Sequence, residues 1–168
     1  MIRILGRNII RLAVLVLLQV FIINNIQISS MINPYFYVIF ILLLPFETPG
    51  WLLLLSAFGL GIVVDLFMNT PGLHAASCVF MAALRPQVLN MISPRDGYDQ
   101  GSFPRLSYYG FGWFLRYSVI LVFAHHLVLF FIEVFRFSNF VETLLKAALS
   151  TLLSVVLIMI SQYFIYRK

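Results

Sequence analysis

Residues 49–75 read PGWLLLLSAFGLGIVVDLFMNTPGLHA. Pro49-Gly50 is a turn signal, and Trp51 beside it suits a membrane interface. The run that follows is apolar without alternation up to Asp65, and a short polar link at Asn69 to Gly72 leads into a second apolar run. Lipid cannot hydrogen-bond a backbone, so a spanning segment must be a helix or part of a closed barrel, and an unbroken run selects the helix. Ala57 and Gly61, four residues apart with Ser56 and Gly59 beside them, give the first helix a face that another backbone can approach closely. Ala75, Ala76, Ser77, Ala82 and Ala83 give the second a similar character. The two helices are expected to form the heart of a bundle.

The rest of the chain extends the same pattern. Hydrophobic residues make up 62% and charged residues 10% of the 168, and mean hydropathy is +1.00, more than a water-soluble domain can carry without exposing apolar surface on every side. A crossing takes about 20 apolar residues, fewer inside a bundle. Spans are expected near 8–28, 34–46, 51–67, 73–92, 113–135 and 143–165, an all-α polytopic bundle of about six transmembrane helices in one domain, residues 1–168. The stretch 34–46, bounded by Pro34 and Pro45, is short; it is a re-entrant segment or, the favoured reading, the first arm of a tight hairpin turning at Glu47 to Gly50. The loop 93–112 has too few apolar residues to bury a core and reads as a cytoplasmic connection with a short interfacial piece around Tyr108, Tyr109 and Trp113. No internal repeat points to an inverted-repeat transporter.

Lys and Arg in short loops set orientation. Arg3, Arg7 and Arg11 precede the first span, Arg95 and Arg105 lie in loop 93–112, Arg116 opens the fifth span, and Arg167 and Lys168 end the chain. With an even number of crossings these share one side, against only Arg136 and Lys146 on the other, so both termini are expected in the cytoplasm. The net charge of +5 follows from this bias and calls for a bilayer surface, not nucleic acid. The first apolar run lacks a small-residue cleavage site and reads as an uncleaved helix. The single cysteine, Cys78, falls inside a span; it excludes an internal disulfide and reads as a small packed side chain.

Ionisable groups inside a span cost from about 2.5 kcal/mol upward at its centre, so each is a candidate site. Asp65 near the outer end of the third span and His74 on the first turn of the fourth are joined by a link too short to separate them, with Thr70 placed to cap the fourth helix and Pro71 to start it. The pair is either a polar site at the extracytoplasmic face or two wetted interfacial residues. Glu133, near the outer end of the fifth span, is the third member of this candidate cluster. Arg85 lies about 18 Å into the fourth span and is expected to snorkel to the cytoplasmic interface. His125 and His126 point about 100° apart, so one is expected to face the bundle and the other a helix neighbour or lipid, with His74 at another depth. A metal site would need further ligands, and none is expected. No nucleophile elbow, His-Glu-x-x-His or phosphate-cradling glycine loop is present, so the chain is expected to be neither an enzyme nor a cofactor protein.

The segment 49–75 resembles the most recognisable stretch of the rod-shape-determining protein MreD family: a Pro-Gly turn, a Gly-rich helix ending in Asp, and a short loop into Gly-Leu-His. Pro49, Gly50, Gly59, Gly61, Asp65, Gly72, Leu73 and His74 are the matching positions, with Thr70-Pro71 where the family often has a Pro-Leu or Leu pair. The resemblance implies a non-enzymatic scaffold subunit of the bacterial cell-elongation machinery in the cytoplasmic (inner) membrane. Its partner would be an MreC-like bitopic scaffold protein, and through it the wall-synthesising glycosyltransferase and transpeptidase of peptidoglycan synthesis. The resemblance also implies a fold similar to the substrate-binding subunits of energy-coupling-factor vitamin transporters, the rival reading. Against the rival, Ala13 is followed four residues on by Leu17, so the Ala-x-x-x-Ala docking face of such subunits is missing. A third class, an intramembrane enzyme on lipid-linked substrates, would need His125 or His126 to meet a carboxylate.

Overall fold

The computed structural model describes residues 2–25, 31–99, 101–134 and 139–166. Arg136, Arg167, Lys168 and the middle of the first loop lie outside these. The chain is all-helical, and among the described residues there is no strand. Three helices are long and apolar enough to cross a membrane: α3 (Gly50–Met68), α5 (Leu106–Val134) and α6 (Phe140–Tyr166). They are joined by α1 (Ile2–Phe21), a four-residue α2 (Ile39–Leu42) and α4 (Leu73–Met91). α4 has the length of a crossing, but His74, Arg85, Gln87 and Asn90 lower its hydropathy.

The exterior is apolar and the interior is polar. Trp51, Leu55, Leu66, Val141, Leu152 and Phe164 are all more than half exposed. Gln19, Asp65, His74, Arg85, His125, His126, Ser150, Ser154 and Gln162 are buried. Such a surface is stable against hydrocarbon and not against water.

α3 and α4 pack antiparallel through Leu53, Ala57, Leu60, Gly61 and Val64 on one side and Ala75, Cys78, Met81 and Ala82 on the other. The small face divides. A Cβ built on Gly61 would lie 2.6 Å from the Ala75 nitrogen and 2.7 Å from the His74 carbonyl oxygen, whereas one on Gly59 would meet nothing within 4 Å. Gly61 therefore sits at the crossing and Gly59 faces outward. Ala76 and Ala83 are likewise exposed, off the packed face of α4. α5 is antiparallel to both α4 and α6, and its helix breaks at Gly110 (φ 77°), which sets off the short piece beginning at Leu106 from the long apolar helix.

The expected span 34–46 is not a continuous helix. Only Ile39–Leu42 is helical, and the backbone on either side is irregular or turning. Yet Pro34, Tyr35 and every residue from Tyr37 to Leu44 are buried. Tyr37 bonds His74 at one end of α4 and the Leu44 carbonyl bonds Arg85 eleven residues along it, so the segment descends about 16 Å through the bundle. Pro34 and Pro45 fence a stretch too short to form a regular spanning helix. An irregular backbone at this depth is tolerable only where protein surrounds it.

At the loop end the interior is closed by aromatic rings. Phe46 stacks on Tyr98 at 4.3 Å, Trp113 on Tyr117 at 5.1 Å, and the Trp113 indole donates to the Ile92 carbonyl at 3.0 Å. The Tyr98 hydroxyl donates to the Leu89 carbonyl, and burial raises its pKa.

Candidate functional site

An irregular segment leaves its N–H and C=O groups without ladder partners, and each must be satisfied or costs several kcal/mol in hydrocarbon. The surrounding helices supply the partners from side chains. From α1, Gln19 accepts from the Phe36 N–H at 2.7 Å and donates to the Pro34 carbonyl at 3.0 Å, while Arg11 donates to the Ile39 carbonyl at 3.3 Å. From α6, the Ser150 and Ser154 hydroxyls accept from the Asn33 and Tyr35 N–H groups at 3.0 and 2.9 Å. From α5, Tyr117 donates to the Leu42 carbonyl at 2.9 Å. From α4, Arg85 donates to the Leu44 and Pro45 carbonyls and, through Nε, to the Tyr117 hydroxyl at 2.8 Å. Arg85 thus does not snorkel. It is 1% exposed, held in the interior by carbonyls that need a donor.

Asp65 closes the turn between α3 and α4. One carboxylate oxygen accepts from the Thr70 hydroxyl (2.9 Å) and the His74 N–H (3.0 Å), the other from the Gly72 N–H (3.2 Å) and the Ala75 N–H (3.0 Å). A carboxylate from the preceding helix therefore caps α4 and complements its dipole, the task the sequence had suggested for Thr70. Gly72 at the N-cap has φ 88°, a conformation that favours glycine. Asp65 meets the backbone of His74 and not its imidazole. Glu133 belongs to neither; it pairs with Lys146 at 3.1 Å, whose ammonium also sits 4.5 Å over the Phe130 ring.

The imidazole of His74 points inward to a second cluster. Its Nδ1 lies 2.7 Å from the Tyr37 hydroxyl, which lies 3.0 Å from His125 Nε2. Contrary to the expected difference in depth, His74 and His125 share one tyrosine. Cys78 Sγ is 3.8 Å from the same Nε2, and the Tyr35 ring lies between 5.2 and 6.2 Å from the rings of His74, His125 and His126. His126 turns to the neighbouring helix, with Nδ1 2.7 Å from the Val122 carbonyl and Nε2 3.3 Å from Ser154 Oγ. All three histidines and the only cysteine of the chain are thereby gathered in one buried site.

The partners assign the protons. A carbonyl only accepts, so His126 carries its hydrogen on Nδ1 and accepts from Ser154 at Nε2. His125 Nδ1 is buried without a partner, and a bare lone pair there is cheaper than an orphan N–H. His125 therefore donates from Nε2 to Tyr37, and Tyr37 donates to His74 Nδ1. Among the described residues no group of three or more His, Cys, Asp or Glu is arranged to hold a metal ion. The arrangement ties α4, α5 and α6 to the segment.

The residues that do this were only partly visible beforehand. Ser150 and Ser154 stand four apart on one helical face, a signal for a polar stripe. Gln19 is a lone amide in the first apolar run, whereas Tyr35 and Tyr37 look like ordinary aromatics until the helix around them is seen to break. Compared with known proteins, the chain matches no family model, no curated protein and no solved structure at a significant level.

Proposed function

We propose that this chain is a non-enzymatic scaffold subunit of the bacterial cell-elongation machinery, a member of the rod-shape-determining protein MreD family held in the inner membrane with both termini in the cytoplasm. One observation carries the reading against a small-ligand receptor. At the mouth defined by His74, the centre of the bundle is filled by the chain's own Tyr35 and Tyr37, whose hydrogen bonds engage the convergent polar groups. A bundle plugged by its own segment works through its outer surface, by holding other membrane helices. The residues behind the resemblance support the same reading, because Gly61, Asp65, Gly72 and His74 act together as one structural device, a close helix crossing with a carboxylate-capped turn. On this reading about six passages of chain cross the bilayer, five as helices and one as the buried segment.

Affinity purification of the tagged full chain from its native membranes tests the proposal. The expected result is co-purification of an MreC-like bitopic protein, with rounded cells after depletion. Normal cell shape after depletion, together with tight binding of a vitamin by the purified chain, would replace this reading with the transporter subunit.

A further inference from the structure

Where α5 and α6 pack together, the apolar exterior carries a groove of about 510 Å³. Phe111, Leu115, Val119 and Phe123, each a helical turn from the next, form its wall on α5, and residues between Ala148 and Ile160 form its wall on α6. On each helix this is a run of about 18 Å at 1.5 Å per residue. The one polar residue in the lining, Thr151, keeps its hydroxyl buried, so the groove surface is apolar. One end lies at Phe111, where the long helix starts after the break at Gly110, on the side of loop 93–112. The other end, at Phe123 and Ala148, stops near the bilayer centre, since one leaflet of hydrocarbon is about 15 Å deep. Arg116 stands beside the loop-side end, next in sequence to Leu115. It is exposed, on a face where Phe111 and Val119 are exposed too. Its Nε donates at 3.1 Å to the Gly112 carbonyl one turn back, which turns the guanidinium toward the loop end and leaves both terminal amino groups without a bond among the described residues. Arg116 forms no ion pair among them either. A Cβ on Gly112 would meet nothing within 4 Å, so the space in front is open.

We infer that this groove seats one acyl chain of an anionic glycerophospholipid, whose phosphate is held by Arg116. A cation exposed to lipid more than one turn inside a helix is costly without a counter-charge, and the guanidinium fork matches a phosphate. No carboxylate pairs with Arg116 that could host a choline or ethanolamine cation in turn, so a headgroup of net negative charge fits best. The depth of the groove selects a chain over a protein helix. A partner helix packs along the full hydrocarbon thickness of about 30 Å, preferably through small residues. This groove ends halfway, and its lining has one alanine and no glycine or serine. A flexible chain from one leaflet matches both its length and its apolar walls. The inference needs a bilayer around the apolar exterior and does not rest on the proposed assembly role.

The test uses the full chain in nanodiscs of mixed phosphatidylglycerol and phosphatidylcholine. Native mass spectrometry after stepwise delipidation is expected to find one retained phosphatidylglycerol per chain and no retained phosphatidylcholine. Arg116→Gln lowers that retention by about tenfold, the worth of one good charged hydrogen bond. Val119→Trp fills the groove and abolishes it. Two controls leave it unchanged: Arg95→Gln removes the same charge from the loop, and Leu55→Trp adds the same ring to an exposed position of α3. A phosphatidylglycerol with a diazirine midway along one chain gives the answer on the wild type, even where the tryptophan variant fails to fold. Its crosslinks are expected to gather on Leu115, Val119, Leu152 and Val156. Labelling spread evenly over Leu55 and Leu66 of α3 would overturn the inference, as would equal retention of the two lipids by the wild type. So would an Arg95→Gln loss as large as that of Arg116→Gln, or a lipid-free dimer that buries Val119 against a second copy.

Discussion

Gly61→Ala is the most informative single substitution because its geometry fixes both sign and size. The new methyl would sit 2.6 Å from the Ala75 nitrogen and closer still to the Ala75 Cα, and ordinary contact starts at 3.4 Å, so α3 and α4 must part by more than about 0.8 Å. The obstructing atoms are backbone and cannot swing aside. The same displacement would stretch the Asp65 bonds to the His74 and Ala75 N–H groups, both 3.0 Å, past useful length. Overpacking costs about 1–3 kcal/mol, and losing carboxylate bonds at a helix cap places the loss near or above the top of that range, about 3 kcal/mol. Gly59→Ala is the internal control: it adds a methyl where nothing lies within 4 Å and gains up to about 1 kcal/mol of helix propensity. Unfolding of the purified chain by SDS in mixed micelles, followed by fluorescence of buried Trp113, measures both. An alanine at 61 that unfolds at the wild-type midpoint, or one at 59 that costs as much, would refute the crossing geometry.

Tyr117→Phe removes a donor from the Leu42 carbonyl and an acceptor from Arg85, both buried, and should destabilise by about 1–3 kcal/mol in the same assay. Arg85→Met strands the Leu44 and Pro45 carbonyls and should cost at least as much; a variant as stable as wild type would return Arg85 to the interface. Glu133→Gln, by contrast, loses one half-exposed ion pair and should change stability by less than about 1 kcal/mol, with salt erasing the difference. Replacing His125 and His126 together by Gln should weaken the fold and leave pull-down of the proposed bitopic partner intact wherever the variant is folded; loss of a wall-lipid reaction in a stably folded variant would instead reveal an enzyme.

The long apolar helices were legible in the sequence because an unbroken apolar run of that length is satisfied in lipid by a helix. The ends of α3 and α4 fell within a residue of expectation for the same reason. The first helix was misplaced: it runs Ile2–Phe21, not 8–28, because its first turns are built from the arginine-bearing residues that the apolar pattern left out. What sequence could not give was the state of residues 34–46: the favoured reading, a spanning hairpin arm, was wrong, since only Ile39–Leu42 is helical and the rest is irregular chain. Its conformation is decided by Gln19, Arg85, Tyr117 and Ser154, which lie from 15 to 119 residues away in the chain. Asp65 and His74 were correctly seen as neighbours, but the contact runs through backbone N–H groups, and spacing cannot distinguish a capping carboxylate from an acid beside an imidazole. Glu133 was grouped with them by depth alone, and its partner, Lys146, comes from α6.

Hydrogen–deuterium exchange across residues 33–44 in nanodiscs tests most directly that helix side chains hold an irregular strand of chain through the bundle. The account predicts slow exchange in the wild type and fast exchange at Tyr35 to Tyr37 in Gln19→Leu and Ser154→Ala, with α3 and α5 unchanged. Protection that persists in both variants would mean that the segment satisfies its own backbone as a regular helix.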